Sequence, residues 1–263
     1  MAKTQLKPGT SGQSVETENP QNLPATQEGS AMTPYHGDSN DYDSGSRDIK
    51  IPRLGIVNGV GPLFAKFPRN VGTLAFEERI ILGEKAEAIV LNLRKFYVEI
   101  RRNGVDFKYG DGNMPKIFAS AKLAHEAGYA IDWDSNYANK AQEAAEILML
   151  VEGPADDPQD AFYITADGKN WGLALTTVRR GGFREVYRLF NTVQTRAEAR
   201  GGKLHQTVFE YSVKLVPGEN NSWFEPRAAG LRKLSDEDVA KIEKQLPNIF
   251  GKDAAPAGEP AAE

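Results

Sequence analysis

The sequence predicts a β-rich α+β fold, a small β-barrel with a few inserted helices, set between two disordered tails. Three observations predict it. Residues 1–48 are rich in Gly, Pro, Ser, Thr, Asn and Gln and nearly devoid of large aliphatic side chains. Residues 251–263 are mostly Ala, Pro, Gly and Glu. Neither segment buries enough apolar surface to offset its ordering entropy. Between them, most apolar runs follow a two-residue period rather than a helical one. In the longest run the period slips by one residue, the mark of a β-bulge, a device by which strands of small barrels turn corners. The predicted organisation is a disordered arm (1–48), one globular domain (49–250) and a disordered tail (251–263), with ample length for a real core.

The elements follow in chain order. Ile51, Leu54, Ile56 and Val57 predict a short strand, with Pro52 at its start, where a missing donor is tolerated. Asn58-Gly59 and Gly61-Pro62 end it. The Gly-x-Gly at 59–61 lacks the third glycine of a dinucleotide loop and reads as a turn with no helix after it. Glu87 to Arg102 is the long β run: Ile89, Leu91 and Leu93 alternate, then Phe96, Val98 and Ile100 take the opposite phase, which reads as a bulge near Arg94-Lys95 or as two strands meeting at a bend. Pro115 to Gly128 reads as a helix, from an N-terminal proline to a terminating glycine. Asn139 to Leu150 begins helix-like in its Ala/Glu content, and its apolar end reads equally as a strand. Phe162 to Ile164, the turn 166–169 and Trp171 to Val178 predict a β-hairpin. Phe183 to Ala199 is a helix carried by Phe183, Val186, Tyr187, Phe190 and Val193 and closed by Gly201-Gly202. Leu204 to Val216 alternates as a half-exposed strand. Ser235-Asp236-Glu237-Asp238 caps a short helix through Leu246.

Composition narrows the function. The chain has no cysteine, which excludes disulfides, a thiolate nucleophile and cysteine-ligated zinc or iron–sulfur sites. No stretch approaches the ~20 apolar residues of a membrane helix. The N-terminus has two lysines and no apolar h-region, so no signal peptide and a cytoplasmic location are expected. The arm carries three basic and seven acidic residues and the tail one basic and three acidic, which leaves the middle at +2 against a chain total of −4. A mildly basic core between acidic tails permits nucleic-acid binding, and equally describes solvated tails that keep a protein soluble.

Enzymatic signatures are absent. His36, His125 and His205 lie in unrelated contexts with no triad motif, and there is no phosphate loop and no His-Glu-x-x-His. No catalytic residue and no cofactor are expected. Asp132, Asp134, Asn136 and Glu143 have the spacing of a helix–loop–helix calcium site. The sixth position, where such loops need glycine, is Tyr137, so no bound metal is expected.

The positive signal is basic and aromatic. Eight Lys/Arg lie between Arg179 and Leu215, opposed by Glu185, Glu198 and Glu210 alone. Arg180, Arg184 and Arg188 recur every four residues and so line one side of the predicted helix. A second cluster, Arg94, Lys95, Arg101 and Arg102, interleaves with Phe96 and Tyr97. Cations for phosphates beside flat rings for bases are what single-strand binders use. A solvated helix face with aromatics filling a core is the alternative reading of the same pattern.

The layout over about residues 49–247 resembles a diverse group of bacteriophage single-stranded DNA-binding proteins built on an OB-fold. The residues that carry the likeness are Ile51-Pro52-Arg53-Leu54 with its glycine turn, Gly72-Thr73-Leu74, Ala88-Ile89-Val90-Leu91 leading into Lys95-Phe96-Tyr97, and the later hairpin, basic helix and alternating strand. The resemblance implies an OB-fold-like barrel and a role in phage DNA replication or recombination in the host cell cytoplasm. Members of the group recruit replication or recombination partners through a dense acidic C-terminal tail. Here the tail has only Asp253, Glu259 and Glu263, and the arm's Asp38, Asp41 and Asp43 are the other acidic cluster. The expected function is sequence-tolerant, non-enzymatic binding of single-stranded DNA, with no membrane partner. Arg94, Lys95, Arg101, Arg180, Arg184, Arg188 and Lys214 would meet phosphates, and Phe96, Tyr97, Trp171 and Tyr211 would stack on bases. The competing expectation is a virion structural or scaffold-type interaction protein with no nucleic-acid ligand.

Overall fold

Two sheets organise the chain in a computed structural model that describes residues 51–107, 114–131, 137–154, 161–218 and 222–247. The predicted disordered arm and tail lie outside these residues, as do His36 and the acidic cluster Asp38, Asp41 and Asp43. The first elements are β1 (Leu54–Ile56), α1 (Pro62–Lys66), β2 (Leu74–Phe76) and β3 (Ile80–Gly83). The strands form a three-stranded antiparallel sheet in chain order. The turn expected after Gly59 therefore does lead into a helix, α1, for which Gly61 at φ 96° and Pro62 set the entry.

The second sheet is built on β4 (Lys85–Arg102), whose outer end pairs with β5 (Val105–Asp106) and β6 (Ile117–Phe118). Then come α2 (Ala121–Glu126), β7 (Lys140–Glu152), β8 (Ile164–Ala166) and β9 (Lys169–Arg179). A continuous helical segment follows: α3 (Arg180–Gly182), a π-helical turn (Phe183–Tyr187) and α4 (Arg188–Glu198). A 3-10 turn (Leu204–Gln206) leads to β10 (Thr207–Pro217), β11 (Ser222–Lys233) and α5 (Asp236–Gln245). The main path of the sheet runs β11-β10-β4-β7-β9-β8, antiparallel throughout.

The expected barrel does not form. The sheet ends at β11 and β8 instead of rolling onto itself, because other elements cover its faces. On one face, Val90, Ile147 and Met149 pack with Leu54, Leu74 and Phe76 of the small sheet and with Phe183, Val186 and Phe190 of the long helix. On the other, Ile89, Leu148, Leu150 and Val208 pack with Val239, Ile242 and Leu246 at α5. The β-rich α+β class holds; the architecture is two sheets with helices on both faces of the larger one. The small sheet touches the large one through a parallel bridge between Arg53 and Leu175, where the Leu175 N–H donates to the Pro52 carbonyl at 2.8 Å.

Three predicted elements differ. The phase slip in β4 is real, but it falls between Val90 and Asn92, with a second between Glu99 and Arg101, not at Arg94-Lys95. The first slip puts Ile89, Asn92, Phe96 and Val98 opposite Leu150, Leu148, Ala144 and Gln142, and so on one face. The helix expected at 115–128 shrinks to α2, capped by Ser120, whose Oγ accepts from the Leu123 N–H; Ile117 and Phe118 instead extend the sheet beside Val98 and Tyr97. Asn139 to Leu150, helix-like at its start, is strand from Lys140 onward. It lies between β4 and β9, and pairing on both sides overrides an Ala/Glu composition. Among the described residues no helix is long and apolar enough to cross a membrane.

Candidate nucleic-acid interface

The helical segment Arg180–Glu198 is held by its apolar side. Phe183, Val186 and Phe190 are buried, each stabilising by roughly 1.5–3 kcal/mol relative to exposure. Phe183 stacks on Tyr187 with centroids 4.8 Å apart, and Phe190 meets Phe209 edge-on at 4.6 Å. The segment starts abruptly from β9. Arg180 takes φ 52°, a left-handed conformation that a non-glycine residue adopts at a cost. Gly181 then lets the Glu225 carboxylate lie against the backbone: a Cβ there would sit 2.0 Å from Glu225 Oε2. An acidic group at this end suits the helix dipole.

The arginines expected to form a stripe do not lie on one regular α-helix, because Arg180 is left-handed and Phe183–Tyr187 is a π-helical turn. Arg180, Arg184 and Arg188 are all exposed, as are Arg196 and Arg200. None of the five forms an ion pair among the described residues. Lys214, on the neighbouring hairpin, is exposed too. Glu185, next to Arg184 in the chain, is bound by Arg227 at 2.6 Å, and that hydrogen bond, with its charge and that of Lys214, holds Glu185 below the usual carboxylate range. Glu185 is thus already paired, while the Glu225 carboxylate lies beside the start of the segment at Gly181.

The second basic cluster differs. Lys95 Nζ donates to Glu143 Oε1 at 2.6 Å and stands over the rings of Tyr97 (5.2 Å) and Phe183 (5.6 Å). Burial pulls the Lys95 ammonium down, and the Glu143 and Tyr97 contacts outweigh it, so its pKa lies above the ordinary lysine value. Arg101 Nε donates to Asp106 at 2.8 Å. Arg94 is half-buried and engaged within the protein. Arg102 grips Glu99 through both Nε (2.7 Å) and Nη2. Glu99 is buried, and also accepts from the Tyr129 hydroxyl (2.5 Å) and the Lys116 N–H (3.0 Å). Burial alone would raise its pKa; these donors overcome that and hold it at about 2.

The aromatics expected to stack are core residues. Phe96, Tyr97, Trp171 and Tyr211 are 6, 7, 0 and 1 % exposed. Phe96 packs with Val98, Ala144 and Ile117, and Tyr97 with Tyr129, Ala124 and Ala141. The Trp171 Nε1–H donates to the Ala166 carbonyl at 3.0 Å. Burial pushes the Tyr211 phenol well above its ordinary pKa. None of the four offers a ring face to a base in this structure.

A ring the sequence reading missed stands beside the stripe. Trp223, on β11, is 44 % exposed, and its Nε1–H donates to Glu225 Oε1 at 2.8 Å. Pro217-Gly218 followed by Asn220-Asn221 after an alternating strand is a hairpin signal that would have exposed β11. Pro226 fits an edge strand, where a missing donor costs no ladder bond.

Other candidate chemistry does not assemble. Asp132, Asp134 and Asn136 lie outside the described residues, and Glu143 sits on β7 bound to Lys95. Among the described residues no group of three or more His, Asp or Glu is placed to hold a metal ion. His125 is exposed at the end of α2, whereas His205 is buried with Nε2 2.8 Å from Glu243. Comparison with protein-family models, curated proteins and solved structures finds no match to this chain.

Proposed function

We propose that the protein binds single-stranded DNA without sequence preference and without catalysis, in support of replication or recombination. One observation carries the reading: four exposed arginines, Arg180, Arg184, Arg188 and Arg196, on a helical segment whose apolar side is anchored in the core, and Arg200 in the turn after it, all without an ion pair among the described residues. Arginine suits such a surface because its planar fork gives a phosphate two hydrogen bonds at once. Cations gathered on one segment can follow one phosphate backbone, which is what a single strand offers. The reading rests on this helix face, and a closed OB-fold barrel is not required for it.

Fluorescence titration with labelled oligo-dT and with a duplex of equal length, at two salt concentrations, tests it. The expected result is tighter binding to oligo-dT, with affinity falling by about 0.7 powers of ten per phosphate contact for each tenfold rise in salt. Absence of binding would refute it. Large assemblies sedimenting without DNA, together with that absence, would favour the structural or scaffold alternative.

A further inference from the structure

We infer that Trp223 is the base-stacking platform of this interface, taking an unpaired nucleobase on its indole while Arg180 and Arg184 hold the adjoining phosphates. The inference rests on the single-strand reading and deepens it, because it names a contact to the bases where the arginines contact only the backbone.

Position is the first argument. The indole nitrogen donates to Glu225 Oε1 at 2.8 Å, and the same carboxylate lies against Gly181. Trp223 is therefore separated from the start of the helical segment by a single side chain. Arg180 immediately precedes Gly181, and Arg184 lies one turn on. Lys214 is paired with Glu225 across the β10–β11 ladder, which adds another cation to the same corner.

Exposure is the second. Every aromatic expected to stack is below 8 % exposed, whereas Trp223 is 44 % exposed. Among the described residues the other strongly exposed rings are elsewhere. Tyr163 precedes β8, at the opposite end of the sheet from β11, and Tyr137 precedes β7 at the sheet's outer extension.

Preorganisation is the third. The Nε1–H is already satisfied by Glu225, so the ring edge is fixed while part of the ring stays open to solvent. A ring ordered before binding loses less side-chain entropy when a base lands on it. Stacking also tolerates any base, as a sequence-independent binder requires.

The test compares oligo-dT with an abasic oligomer of the same length, using the full chain and the variants Trp223→Ala and Trp223→Phe. Trp223→Ala is expected to weaken oligo-dT binding about 5- to 150-fold, the range found for one stacked base. Its salt slope and its affinity for the abasic oligomer should match the parent's. Trp223→Phe, which keeps a ring and guards against a folding artefact, should retain most of the affinity. Two results would overturn the inference: Trp223→Ala binding oligo-dT like the parent, or losing equal affinity for both oligomers. In either case the single-strand reading survives if charge reversal of the arginines still weakens binding and lowers its salt slope. If the parent chain does not bind oligo-dT at all, both fall together.

Discussion

The protein carries two clusters of cations that look alike in sequence and differ in what their charges do. In the β4 cluster, Lys95, Arg101 and Arg102 each hold a carboxylate: Glu143, Asp106 and Glu99. In the helical cluster, Arg180, Arg184 and Arg188 hold none among the described residues. The difference follows from secondary structure. On a strand, cations meet partners on neighbouring strands, as Lys95 meets Glu143 of β7 and Arg101 meets Asp106 of β5, while Arg102 takes Glu99 from its own strand. On a helix lying over a sheet, the outer side has no neighbouring element, so charges there stay available to a ligand. A run of Lys/Arg predicts a polyanion site only where the fold leaves it unpaired.

Four expectations break or sharpen this contrast. The largest concerns the aromatics interleaved with the β4 cations. Phe96→Ala and Tyr97→Ala should each destabilise the fold by about 3–5 kcal/mol, as loss of a buried ring does. Denaturant unfolding measures it; a loss of DNA affinity with unchanged stability would return these rings to the interface.

Next is Glu99. Its carboxyl is held at about 2 in the folded protein, below its unfolded value near 4.5. That contributes about 3 kcal/mol, fully present above pH 4.5 and lost as pH falls toward 2. Unfolding measured from pH 6 to pH 3 should show the decline, and Glu99→Gln should flatten it. An identical pH profile in the two proteins would contradict the account of this network.

Glycine 181 comes third. Gly181→Ala would drive a Cβ into the Glu225 carboxylate, so that side chain must move. The expected cost is about 1–2 kcal/mol, and the indole released from Glu225 should show altered fluorescence. A spectrum like the parent's would show that Glu225 does not hold Trp223.

The smallest effect is at Lys95. Its side chain is 36 % exposed, so the Glu143 pair contributes only about 0.5 kcal/mol after solvent screening. Lys95→Gln should leave oligo-dT affinity within about twofold. A larger loss would mean that Lys95 leaves Glu143 to meet phosphate.

Much of this was legible in the chain because some signals are local. Asp167-Gly168 announced the β8–β9 turn, and both residues take positive φ, 55° and 69°. Ser235 announced α5, and its hydroxyl accepts the Asp238 N–H at 3.1 Å. The exposure of Arg180, Arg184 and Arg188 was legible because they fall between the apolar positions Phe183, Val186 and Phe190 that the core takes. What escaped depends on distant partners. Residues 140–146 became strand through pairing with β4 and β9 that no local window contains. Alternation assigned Tyr211 and Trp171 to strands, but not to the covered side of them. Trp223 was overlooked because Pro226 and the Ala228-Ala229-Gly230 run hide the pattern of β11.

The central claim is that free cations, and not merely cations, make the interface. The measurement that tests it pairs two charge reversals in one oligo-dT titration at two salt concentrations. The first is Arg180→Glu, Arg184→Glu and Arg188→Glu together; the second is Lys95→Glu with Arg101→Glu. The account predicts that the helical reversal costs about a hundredfold in affinity at ~0.1 M salt and lowers the salt slope by about 2, from three lost phosphate contacts. The β4 reversal should change the slope by less than about 0.5, on the same scale. Equal losses from both reversals, or an unchanged slope in the helical one, would contradict it.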